Sequence, residues 1–117
     1  MLVIRTDKRN YERGETVDVT LVLQNEGTTT REYHFSTAQR FDLFVERDGR
    51  KVWQWSDDLL FAQVLSTLAI RPGDSRQFKA EWKQVDASGQ PVPAGRYTIS
   101  AKIAGAKETA ERDLVIE

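Results

Sequence analysis

Few residues in this chain could do chemistry. His34 is the only histidine among 117 residues, and a nucleophile–histidine–carboxylate arrangement needs all three groups within hydrogen-bond reach. Ser36 and Ser56 are the hydroxyls to weigh against it. His34 falls on the predicted polar face of a strand, and no spacing brings either serine beside it, so an exposed strand histidine is the better reading. Asp57 and Asp58 are a carboxylate pair, but adjacent side chains diverge, and capping a helical turn explains them without catalysis. A calcium site shared with Asp42 is conceivable, yet one histidine and this pair are too few ligands for a metal site. There is no cysteine, hence no thiolate ligand and no disulfide framework. The residues call for no enzyme, no cofactor and no metal.

The element that organises the chain is Phe41 to Trp55, FDLFVERDGRKVWQW. Two bulky runs meet at Asp48-Gly49, a strong hairpin signal. A two-residue loop would pair Val45 with Val52 and put both tryptophans on the face away from Leu43 and Val45. A three-residue loop, Arg47 to Gly49 with Gly49 at positive φ, puts Phe41, Leu43, Val45, Trp53 and Trp55 on one face, and is the expected register. Phe44 and Val52 then point the other way with Asp42, Glu46 and Gln54, where an apolar pair marks a contact surface or a covered edge.

Other strands follow from alternation. Leu2 and Ile4 open the first. Val17, Val19, Leu21 and Leu23 face inward, with Asp18, Thr20 and Val22 outward. Thr28 to Phe35, Leu65 to Ile70, Arg76 to Trp82, Tyr97 to Ile103 and a last strand ending at Leu114 and Ile116 complete the set. Ser56-Asp57-Asp58 caps one helical turn over Leu59 to Phe61 or begins an irregular loop, and the residues do not decide between them. Asp86 to Gly95, DASGQPVPAG, is dense in turn formers and must be a long surface connection. Seven to eight strands at 8–12-residue spacing, without a helix long enough for a crossover, predict an all-β, immunoglobulin-like antiparallel β-sandwich. The length suits one domain over residues 1–117. Trp53, Trp55, Phe41 and Trp82 belong to its core in the plainer reading; exposed on a sheet face they would form a stacking platform for sugars or peptides.

Seventeen basic and eighteen acidic residues, interspersed, give no footprint for nucleic acid or an anionic membrane. The amino terminus lacks a signal-peptide core and no run reaches transmembrane length, so a cytoplasmic location is the expectation, with a trimmed leader as the alternative.

The order of features resembles the BsuPI family, intracellular proteinase inhibitors of bacilli and their relatives. The likeness rests first on Tyr11-x-x-Gly14, Asn25 and the block Phe35-Ser36-Thr37-Ala38-Gln39-Arg40-Phe41-Asp42. It continues through Asp48-Gly49, Val52-Trp53-Gln54-Trp55-Ser56, Phe61, Pro72-Gly73, Trp82, Gly89 and Pro93-Ala94-Gly95-Arg96-Tyr97. The resemblance implies a protein-binding domain that inhibits a subtilisin-like serine protease.

Such an inhibitor must present a pre-organised loop to the enzyme. Two loops qualify. Ser56 to Val64 carries the candidates Asp57, Asp58, Leu59, Leu60, Phe61 and Ala62, whose apolar members suit apolar subsites. Asp86 to Gly95 offers Gln90, Pro91, Val92 and Pro93, stiffened by its prolines. The first ranks ahead, because exposed apolar residues are harder to explain structurally; against it, Leu60 and Phe61 could close one end of the sandwich. A structural or adhesion-type accessory module without inhibitory activity is the alternative function.

Overall fold

The computed structural model covers residues 1–117. Ten strands form in chain order: β1 Leu2–Thr6, β2 Asn10–Tyr11, β3 Val17–Gln24, β4 Arg31–Phe35 and β5 Phe41–Arg47, then β6 Arg50–Gln54, β7 Ser66–Ile70, β8 Ser75–Trp82, β9 Gly95–Ile103 and β10 Thr109–Ile116. One 3-10 turn, Trp55–Asp58, follows β6. Sheets of order β1-β3-β8 and β2-β10-β9-β5-β6 make the two layers, and β4 pairs with β7 as a separate ribbon. The fold is an immunoglobulin-like β-sandwich.

Alternation explains the core. Val17, Val19, Leu21 and Leu23 of β3 are buried, as are Tyr97, Ile99, Ala101 and Ile103 of β9. These period-2 faces meet between the layers. Val22, expected outward, is also buried; it lies opposite Val3 and Gln77.

The sheets are not wholly antiparallel. β2 runs parallel to β10, because the chain leaves the first sheet after β1 and joins the edge of the second. Asp7 holds this crossing: its carboxylate accepts from the Tyr11 hydroxyl and the Asp18 amide.

The hairpin corrects the predicted register. Arg47 pairs with Arg50, and Asp48 and Gly49 have φ of 53° and 77°. This is a two-residue turn with both central residues left-handed, the type-I′ pattern whose twist suits a hairpin. A bulge then inserts Val52, so Val45 lies opposite Trp53. The extra residue restores the face that the three-residue loop was meant to secure. Val52 is no outward partner of Phe44; it packs against the core, as do Trp53 and Trp55. With Trp82 at 0% exposure, no tryptophan forms an exposed stacking platform.

Candidate functional site

The loop from Ser56 to Leu65 is assembled from the Phe35–Asp42 block and the Trp53–Ser56 segment. At its start, Asp42 is 5% exposed and accepts four hydrogen bonds. They come from the Leu43 and Ser56 amides, the Gln54 side-chain amide and the Ser56 hydroxyl, the last at 2.6 Å. A buried carboxylate is tolerable because it is satisfied this way, and Asp42 is a loop anchor. Asp57 and Asp58 are exposed inside the 3-10 turn rather than capping a helix over Leu59 to Phe61. The turn closes with the Leu59 amide donating to the Ser56 carbonyl.

Along the loop, the Phe61 ring lies 5.8 Å from that of Trp55, which stacks on Phe41 at 4.3 Å. Phe41 in turn meets Phe78 across the sandwich at 5.6 Å. The Ala62 carbonyl accepts from the Ala38 amide. At the far end, Arg40 donates to the Thr37 carbonyl and the Ser66 hydroxyl while lying over the Phe35 ring. Between these anchors the side chains other than Phe61 are exposed. Leu60 has a relative exposure of 102%, with Leu59 and Val64 also exposed and Leu65 at 84%. The two expectations for Leu60 and Phe61 thus divide: Phe61 packs inward and Leu60 does not.

The second loop sits at the opposite end of the five-stranded sheet, beside the hairpin turn. The Asp86 carboxylate accepts from the Ser88 hydroxyl and from the Ser88 and Gln90 amides. Those donors, the Ser88 side chain foremost, hold its pKa below the usual aspartate value. Gln90, Pro91 and Pro93 are exposed, but Val92 is buried, with its amide bonded to the Gln84 carbonyl. The Tyr97 hydroxyl donates to the Pro93 carbonyl at 2.6 Å, a tyrosine corner of the kind seen in immunoglobulin-like domains. An open cleft of about 450 Å³ lies between this loop and β6, lined by Arg47, Lys51 and Val52 on one side and Pro91 and Pro93 on the other.

Gln84 escaped sequence reasoning. It is 2% exposed at φ 56°. Its amide group donates to the Glu12 and Glu15 carbonyls and accepts from the Gly14 amide. No pattern marks a buried glutamine inside a polar stretch. His34 is exposed on β4, with Nδ1 3.1 Å from the Thr67 hydroxyl, while Ser56 is engaged by Asp42, so the two share no site.

A sequence profile for BsuPI, described as intracellular proteinase inhibitor, matches residues 4–108. The chain belongs to the BsuPI family. No curated protein matches it. Among solved structures this BsuPI domain is similar to Spo0M, the sporulation control protein from Bacillus subtilis. The TM-score is 0.58 at 16% identity, over 99% of the domain and 48% of that chain. The domain thus spans about half the length of that relative. A CARDB domain from Pyrococcus furiosus, solved with di-metal ions, gives 0.52 at 13% identity, over 98% and 89%. The β-glucosidase EmGH1 from Erythrobacter marinus gives 0.57 at 12%, over 100% and 15%. At these identities the likeness is one of fold. No helix of the BsuPI domain is long and apolar enough to cross a membrane.

Proposed function

We propose that this domain is a non-enzymatic, cytoplasmic inhibitor of a subtilisin-like serine protease, and that it engages the enzyme through Ser56 to Val64. The observation that carries this reading is Leu60, a fully exposed leucine on a loop fixed at both ends. Leaving an apolar side chain in water gains nothing for folding. Fixing the backbone beneath it lowers the ordering cost of binding. The anchors Ala38, Arg40, Phe41, Asp42, Trp55 and Ser56 lie in the two segments that carry the family resemblance, so the same residues serve likeness and loop. Disulfides commonly stiffen small inhibitors; here an aromatic stack and a satisfied buried carboxylate take that role.

The experiment is titration of the purified domain into subtilisin-like and trypsin-like proteases, following residual activity and intactness of the domain together. Inhibition by an intact wild-type domain, and its loss in a folded Leu59→Asp/Leu60→Asp variant, is the expected result. Unchanged inhibition by that variant would remove the loop from the interface. Digestion without inhibition would leave an accessory sandwich module.

A further inference from the structure

Resting on that reading, we propose that Leu60–Phe61 is the reactive bond of a substrate-like inhibitor, with Leu60 filling an apolar primary specificity pocket of the protease. Three observations single out this bond. Leu60 is the most exposed large apolar side chain of the chain. Leu59, the residue before the bond's acyl side, is extended, at φ −113° and ψ 145°, the conformation a protease takes as an added strand, and no residue from Leu59 to Leu65 has the positive φ that would turn the chain away. The residue after Leu60 turns back onto the scaffold: Phe61 lies against Trp55, and the Ala62 carbonyl is held by Ala38. Leu65 is less suitable, because Ser66 beside it is already paired with Phe35 in the β4–β7 ribbon.

The anchoring gives a mechanism for inhibition rather than digestion. The protease serine adds its oxygen to the Leu60 carbonyl carbon, giving its proton to the enzyme's histidine. The C–N bond then breaks, and the histidine returns that proton to the departing Phe61 amine, leaving a Leu60 acyl ester. In a peptide substrate the amine diffuses away and water hydrolyses the ester. Here Phe61 and Ala62 stay docked on Trp55 and Ala38, so the amine remains at high effective concentration beside the ester. It attacks, the peptide bond re-forms and the serine is released. Water competes slowly, yielding a Leu60 carboxylate and a Phe61 ammonium on two pieces still joined by the sheets.

The test takes a protease that the wild-type domain inhibits and replaces the exposed leucine. Leu60→Arg should weaken inhibition of an enzyme with an apolar pocket by about 100-fold, the size expected of a central contact, and create inhibition of a trypsin-like enzyme. After long incubation, mass spectrometry should find a single new amino terminus at Phe61. Phe61→Ala should be cut at the same bond but to completion, making inhibition transient, and Phe61→Tyr should restore persistence. Preference unchanged in Leu60→Arg, or a cut at another bond, overturns the assignment while leaving inhibition by the domain standing. A wild-type domain that inhibits nothing overturns both.

Discussion

At each end of the five-stranded sheet an aromatic series runs from the core to a loop, and the two loops use that support in opposite ways. Phe78, Phe41, Trp55 and Phe61 follow one another at ring separations of 4.3 to 5.8 Å and end at Phe61, next in sequence to Leu60. At the other end Trp53 meets Trp82 at 6.5 Å and Trp82 meets Tyr97 at 5.6 Å, the last holding the Pro93 carbonyl. The first loop fixes its backbone and leaves its apolar side chains in water. The second turns Val92 inward and spends its polar groups on its own turn. Both loops are tied to the scaffold by hydrogen bonds, but the first exposes its leucines while the second buries its valine, and the proposed division between a contacting loop and a closing loop rests on that contrast.

If that contrast is right, the largest loss of stability should come from the closing end. Gln84→Ala strips partners from the Glu12 and Glu15 carbonyls and the Gly14 amide. Each group costs about 1–3 kcal/mol when left buried and unpaired. Water reaches the exposed side of that turn, so a total of roughly 2–3 kcal/mol is expected in urea denaturation. Inhibition should not change. A stable Gln84→Ala variant would make the second loop independent of the β2–β3 turn.

A smaller effect sharpens the comparison within matched chemistry. Val92→Ala removes buried methyl groups and leaves a cavity, a loss of about 2 kcal/mol. Leu60→Asp changes a larger apolar residue more drastically, yet should stay within about 0.5 kcal/mol of wild type, because nothing covers it. On the proposed reading its effect falls on inhibition instead. If Leu60→Asp destabilised as much as Val92→Ala, Leu60 would be packed in solution and the binding role would lose its basis.

The sequence made the sandwich legible because its strands alternate cleanly, as Val17 to Leu23 and Tyr97 to Ile103 do. It misplaced the hairpin pairing for a definable reason. The apolar pattern reports which face a side chain takes, and a three-residue loop and a two-residue turn plus a bulge at Val52 give the same faces. The parallel β2–β10 pair was invisible, since the two residues Asn10–Tyr11 have no period to read. For the loop, composition pointed to Leu59, Leu60 and Phe61 but could not divide them. What divides them is Trp55, whose position beneath Phe61 depends on the bulged register. Gln84 gave no signal at all, because its three partners lie about 70 residues away in the chain.

The smallest predicted effect is on pH. Asp86 is held below the ordinary aspartate pKa by the Ser88 hydroxyl first and then by the backbone amides of its own turn. A carboxyl whose folded pKa is depressed adds stability that is complete above its unfolded value, near 3.8, and fades as pH falls through the lower folded value. The group is partly open to solvent and bonded within its own turn, so the response should be local rather than a global unfolding step. The Ser88 and Gln90 amide resonances should therefore move together below pH 3.8, the ordinary carboxyl value, and stay still in Asp86→Asn. The first loop lies at the other end of the sheet and shares no hydrogen bond with Asp86. Inhibition by Asp86→Asn, measured at neutral pH, should equal that of wild type. A weaker Asp86→Asn inhibitor would show that the two ends are coupled, or that the proline-stiffened loop also meets the protease, and the division of labour between them would fail.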